Sequence, residues 1–240
     1  MKKEILNKRI QELLTEKRRY ELEEKISFNE KIKLRRNAPI QKIIGYIEMA
    51  NVKIDISKKV LIPRYETEEL IELAKKHINK NKYKSVLDLC CGSGFIGIAI
   101  KKCFPNIDVV QSDIDKKSIK QSKINLNINN VLTCLIKSDM FENIVNKFDV
   151  IISNPPYLHF DDKKNMNNSV LKYEPHHALF AKNNGLYFYE VIEENIHKFL
   201  NKNGLIILEI NPINSYWFIN KEYKIVKDIN GKDRFAYKYI

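Results

Sequence analysis

Asn154-Pro155-Pro156-Tyr157 follows a run of β-formers, FDVIIS, and sets an amide and an aromatic ring on either side of two prolines. Proline lacks the backbone N–H that a sheet ladder needs, so a strand stops here and its end is held stiff. An amide oxygen (Asn154) and a proline-anchored carbonyl (Pro155) can together grip the two N–H groups of a planar –NH2, with Tyr157 covering its flat face. Such a nitrogen is a poor nucleophile because its lone pair is delocalised into the neighbouring carbonyl. Two acceptors would hold it in line with an electrophile and free that lone pair, so positioning carries much of the catalysis.

A second constellation is LDLCCGSGFIG, in which Gly92, Gly94 and Gly97 are spaced G-x-G-x-x-G between a strand and a helix. Glycines there allow a tight turn and close approach of a ligand, and the helix N-terminus favours a negative group. Asp113 ends the second strand, where a carboxylate can accept from two ribose hydroxyls. This much is a nucleoside-cofactor signature, open to NAD as well. Asp88, four residues before Gly92, suits a cofactor bearing an ammonium group, which NAD lacks. Asp139 ends the third strand, where it can approach an adenine or, equally, cap a helix over MFENIV. These acids move the reading to S-adenosylmethionine, whose sulfonium carries its own activation, so no metal is called for. His159, His176 and His177 lack a convincingly spaced carboxylate to complete a metal site.

Positioning these groups requires alternating strands and helices. From residue 84, strands SVLDLC, IDVVQSDI, LTCLIKSD, FDVIIS and GLIILEI are interleaved with helices GFIGIAIKKCF, KKSIKQSKINLNI and GLYFYEVIEENIHKFL. That pattern predicts a parallel sheet covered on both faces. KIVKDI and RFAYKYI predict a closing hairpin around Asn230–Gly231. Residues 40–62 alternate polar and apolar and predict a hairpin turning near Ala50–Asn51. IPRYETEELIELAKKHI predicts a helix from Glu66 or Thr67. Residues 1–36 carry 12 basic and seven acidic side chains and read as a short helical segment, too small to fold alone. Residues 161–168, DDKKNMNN, read as a polar loop able to act as a lid.

The 240 residues carry a net charge of +12, but only seven of the 42 basic residues are Arg, and Lys, Asn and Ile abound throughout. The charge suggests acidic surroundings without naming them. The apolar runs are strand-length, no signal-peptide core is present, and the four cysteines form no CxxC. The expectation is a cytoplasmic protein with no membrane partner.

With NPPY after the fourth strand, the chain resembles the amino-methyltransferases that modify planar –NH2 groups. Three stretches, IQKIIGYIEMANVKIDISKKVLIPRYETEEL, YEPHHALFAKNNGLYFYEVI and VKDINGKDRFAYKYI, are similar to the peptide-release-factor glutamine methyltransferases of the PrmC/HemK family. The resemblance covers about residues 35–240. It implies a Rossmann-like class I S-adenosylmethionine-dependent sheet with a C-terminal antiparallel hairpin. The domains would be a short helical segment over 1–36, a β-hairpin linker over 37–65 and a methyltransferase domain over 66–240. It also implies N5-methylation of the GGQ glutamine in class I peptide chain release factors. Asn154, Pro155, Pro156 and Tyr157 match the catalytic and substrate motif. Asp88, Gly92, Gly94 and Asp113 match the cofactor motif, to which Asp139 and Asn154 are added by position. Arg64, Glu66 and Thr67 match the loop that frames the substrate, and Glu174 and Pro175 match a further element of the pattern. Tyr65 stands where the family has proline, Cys90 and Cys91 replace Gly-Thr, Asn211 replaces glycine, and the N-terminal segment is about half the family's size.

The alternatives are a ribosomal-protein glutamine methyltransferase, towards which DLCCGSG leans while the ETE of IPRYETE favours the release factor, and an adenine-N6 enzyme. Nucleic acid is the weaker substrate, because the basic charge is spread and no target-recognition domain is visible. A binding module or an NAD oxidoreductase would leave NPPY without a task.

Overall fold

The computed structural model describes residues 3–240. It begins with α1 (Lys3–Arg19), α2 (Phe28–Arg35) and α3 (Ile40–Ile44). Helix α2 opens on a capping box in which the Ser27 hydroxyl accepts from the Glu30 N–H and the Glu30 carboxylate accepts from the Ser27 N–H, satisfying donors that a helix start leaves free. Leu13, Leu34, Ala38 and Ile43 form a small core of their own between these helices.

The hairpin β1 (Tyr46–Met49) and β2 (Val52–Asp55) turns at Ala50 and Asn51, whose φ values of 49° and 62° are those a two-residue turn demands. The remaining elements are α4 (Tyr65–Asn81), β3 (Ser85–Leu89), α5 (Phe95–Cys103), β4 (Asp108–Asp113), α6 (Lys116–Asn129), β5 (Cys134–Lys137), β6 (Phe148–Ser153), α7 (Asn168–Tyr173), α8 (Tyr187–Phe199), β7 (Leu200–Glu209), α9 (Ser215–Asn220), β8 (Lys224–Lys227) and β9 (Asp233–Tyr239). They build a seven-stranded sheet in the order β5-β4-β3-β6-β7-β9-β8. Strands β3 to β7 pair in parallel and β9 runs antiparallel to both neighbours, the arrangement expected from the alternating pattern.

Successive residues of the central strands enter opposite layers, as the strand period requires. Val86, Val150, Ile152, Leu205 and Ile207 meet α4, α5 and the hairpin, whereas Leu87, Leu89, Ile151, Ile206 and Leu208 meet Tyr189, Ile192, Ile196 and Phe218 of α8 and α9. Both faces are therefore dry, which is why these strands read as continuous apolar runs.

The hairpin is fastened to α6 by three amides spaced four apart. Gln121 accepts from the Lys58 N–H, Asn125 accepts from the Asp55 N–H and donates to the Asp55 carbonyl, and Asn129 makes the same pair with Lys53. From Asn129 to Asn125, four residues of helix match two of strand, so this helix face serves as the neighbour that the β2 edge lacks, and Gln121 continues the pairing into the turn after it. Three local expectations differ. The hairpin expected over residues 40–62 pairs only Tyr46–Met49 with Val52–Asp55, and Ile40–Ile44 are the helix α3, closed by Gly45 at φ +98°. MFENIV is a turn, because the Ser138 hydroxyl accepts from the Asn143 N–H and donates to the Met140 carbonyl. Residues Phe160–Asn165 form a 3-10 helix rather than a loop, opened by Asp162 reaching back to the His159 N–H.

Candidate active site

Strand order reverses at β3, since the chain runs outward through β4 and β5 and then returns to β6 on the other side. Ligands of open parallel sheets bind outside the carboxyl ends of the strands at such a point. A cleft of about 930 Å³, open mouth included, lies here, lined by Leu61, Gly92, Asp113, Asp139, Asn154, Pro156, His177, Tyr187 and Phe188 among others.

The β3–α5 turn forms one wall. Its backbone is left-handed at Cys90, Gly92 and Gly94, with φ of 61°, 56° and 82°. A Cβ on Gly94 would lie 2.6 Å from the Ser122 hydroxyl, so only glycine lets α6 approach this closely. The Asp113 carboxylate, at the end of β4, accepts from the Gly92 N–H and the Asp115 N–H, both at 2.8 Å. These bonds tie the glycine turn to β4 and leave lone pairs at the cleft. Burial raises the Asp113 pKa. Asp139 is exposed on the cleft wall, at the start of the turn that replaces the expected helix.

Asp88 sits behind the turn and is not among the residues lining the cleft. It is fully buried, and Oδ2 accepts from the Gly97 N–H at 2.9 Å and from Gln111 Nε2 at 3.0 Å. Its Oδ1 has no partner, and burial pushes the carboxyl up to about 7.

At the end of β6, Pro155 and Pro156 are buried while Asn154 and Tyr157 are half-buried. The motif is clamped just beyond its end. The Leu158 N–H donates to the Leu179 carbonyl and the Ala181 N–H to the Leu158 carbonyl. Gly185, at φ +86°, lies so close that a Cβ would collide with the Tyr157 carbonyl oxygen.

Asn154 Nδ2 donates to the Thr67 hydroxyl at 3.1 Å, and that hydroxyl donates to Glu209 Oε2 at 2.8 Å. The Tyr157 hydroxyl donates to the other oxygen, Oε1, at 3.1 Å. Among the described residues, Asn154 Oδ1 and the Pro155 carbonyl accept no hydrogen bond. Glu209 is buried, and desolvation pushes its carboxyl up to about 7. No motif spacing singles out Glu209, although an acid inside the apolar run GLIILEI is itself a signal, because a buried carboxylate demands partners.

The loop before α4 divides its duties. Arg64 turns away to pair with Glu174 at 2.7 Å, and Glu174, 1% exposed, also accepts from the Ile62 N–H. Glu66 is half-buried in the first turn of α4, where its charge acts on Glu209 and Arg234. The structure thus gathers Asn154, Pro156, Gly92, Asp113 and Asp139 at one cleft, and holds Arg64 and Asp88 in its supports.

A doubly wound sheet of this order, with a glycine turn after its first strand and an acid at the end of the next, is the class I methyltransferase architecture. The model of the methyltransferase small domain matches residues 66–185, and the chain belongs to that family. It is 42% identical over 162 residues to a release factor glutamine methyltransferase of Lactococcus lactis, covering 68% of this chain and 60% of the relative. It is 37% identical over 185 residues to one of Clostridium botulinum, covering 75% and 65%. The chain thus spans less than two thirds of the length of these relatives. Among solved structures, the 16S rRNA N2 G1207 methyltransferase of T. thermophilus, in complex with AdoMet and guanosine, superposes with a TM-score of 0.58 at 16% identity, over 81% of this chain and 49% of the other.

Proposed function

We propose that this chain methylates a planar amide nitrogen with S-adenosylmethionine, and that the nitrogen is N5 of the GGQ glutamine in class I peptide chain release factors. One observation carries the reading. The Asn154 amide spends one N–H on Thr67, which leaves Oδ1 as a free acceptor on a residue that lines the cleft, followed in the chain by a Pro155 carbonyl that accepts no hydrogen bond among the described residues. A carboxamide –NH2 offers two donors for these two acceptors. The names of the two relatives above support the substrate assignment.

The residues fit the cofactor. Asp113 has lone pairs left for ribose hydroxyls and the glycine turn leaves room for close approach, while Asp88, buried behind that turn, braces it by accepting from the Gly97 N–H. When bound, S-adenosylmethionine supplies a methyl group activated by its sulfonium. The chain's own work is orientation. Asn154 Oδ1 and the Pro155 carbonyl fix both N–H groups, the stiff proline pair keeps the second acceptor in place, and the Tyr157 ring supports the amide plane. Little strong acid–base chemistry is required of the side chains, so alignment carries most of the rate.

The test is incubation with methyl-labelled S-adenosylmethionine and, separately, a GGQ release factor, ribosomal proteins and DNA. Label is expected on the GGQ glutamine. Label on DNA alone would overturn the assignment.

A further inference from the structure

Thr67 and Glu209 lie 142 residues apart in sequence and meet beneath the NPPY motif. An ionised carboxylate only accepts hydrogen bonds, and a threonine hydroxyl has one hydrogen to give. With that hydrogen on Glu209, Thr67 can offer Asn154 only a lone pair, so the Asn154 atom facing it is Nδ2. The Oδ1 end is then the free acceptor of a residue that lines the cleft. Without this ordering, a half-turn about the Asn154 Cβ–Cγ bond would present –NH2 to the substrate's own –NH2, donor against donor. The same carboxylate holds the Tyr157 hydroxyl through its second oxygen.

We infer that Thr67 and Glu209 are positioning residues: the buried carboxylate orders the Thr67 hydroxyl, and that hydroxyl fixes which end of the Asn154 amide meets the substrate. The inference deepens the proposed function and rests on its reading of Asn154 as an acceptor. The groups facing Glu209 come from several elements. Glu66 and Thr67 belong to α4 and Arg234 to β9, Tyr157 follows β6, and the Tyr189 hydroxyl of α8 donates to the Glu209 carbonyl. Protonating Glu209 would make it a donor to Thr67 and favour the flipped amide. The chain therefore works as a relay of direction, not of protons, and Thr67 need not touch the substrate.

The experiment uses the full chain and two readouts. One is the side-chain amide resonance of Asn154 by 15N NMR, assigned through its loss in Asn154→Asp. The other is methyl transfer to the release factor. In Thr67→Val, which keeps the shape and loses the hydroxyl, the Asn154 amide protons should shift and exchange about tenfold faster, and kcat should fall about tenfold with KM little changed. Thr67→Ser should restore both to within about threefold. In the wild type, the Asn154 resonance and kcat should follow one titration between about pH 6 and pH 8, and Glu209→Gln should abolish it. Thr67→Val with wild-type resonances and turnover, or a defect in Thr67→Ser equal to that in Thr67→Val, would overturn the inference. Should the wild type leave the release factor unlabelled while the resonances behave as stated, the substrate assignment falls and the ordering of Asn154 stands.

Discussion

Replacing Asn154 with Ala removes one acceptor and little else. The side chain makes a single hydrogen bond, to Thr67, and Thr67 keeps its bond to Glu209 when Asn154 is gone. The fold should lose about 1 kcal/mol. The proposed anchors of the nucleoside, Asp113 and the Gly92 turn, belong to other strand ends, so cofactor affinity should stay within about threefold of the wild type. The bound substrate amide would instead face one acceptor, leaving an N–H unpaired in a half-buried site. That costs about 1–3 kcal/mol, or about five- to 150-fold in kcat/KM, before any loss of alignment. Single-turnover transfer of labelled methyl, run beside equilibrium dialysis of S-adenosylmethionine, separates the two effects. Asn154→Asp is the useful companion: it keeps an acceptor, but sets a second carboxylate against a hydroxyl already committed to Glu209, so it should recover only part of the rate. Turnover of Asn154→Ala close to the wild-type rate, with cofactor bound normally, would remove the proposed role of the amide.

Asp113→Asn must turn an –NH2 toward either the Gly92 or the Asp115 N–H, each of which now donates to a carboxylate oxygen; S-adenosylmethionine affinity measured by calorimetry should fall about tenfold or more. Asp88 and Glu209, raised by burial to about 7, hold more protons folded than unfolded. Their contribution to stability is therefore fully present below about pH 4 and lost as pH rises through about 7; Asp88→Asn should flatten the fall in Tm across that window, and an unchanged slope would count against the buried acid. Gly185→Ala, at φ +86° and against the Tyr157 carbonyl, should cost about 1–3 kcal/mol in denaturant unfolding and reduce methyl transfer by displacing Tyr157. Glu174→Ala strands Arg64 and the Ile62 N–H, and should lower unfolding free energy by about 2 kcal/mol, the Arg64 side chain being partly in water.

What was legible in the sequence was what local covalent chemistry dictates. Prolines end β6 because they lack a donor, the glycines of the β3–α5 turn adopt left-handed φ, and apolar runs of strand length foretell a sheet covered on both faces. What was not legible depends on which polar groups meet after folding. Asp88 reads as a cofactor ligand because it precedes the glycine turn by four residues. Its main partners, the Gly97 N–H and Gln111, become neighbours only when α5 packs and β4 pairs beside β3. The sequence KKSIKQSKINLNI reads only as a helix in a chain where Asn abounds, yet Gln121, Asn125 and Asn129 are buried on one face of α6 to hold the hairpin. Their spacing of four was visible, but its purpose was not, because β2 lies more than 60 residues away in sequence. Glu209 follows the same logic. A lone acid in an apolar strand marks a place where the fold must deliver donors, and here it delivers the hydroxyls of Thr67, which holds Asn154, and of Tyr157 in the same motif. Buried polar residues inside apolar runs are thus a better guide to the supports of this site than the motif spacing that locates its centre, because the cost of leaving such a group unpaired exceeds the gain from any single favourable contact.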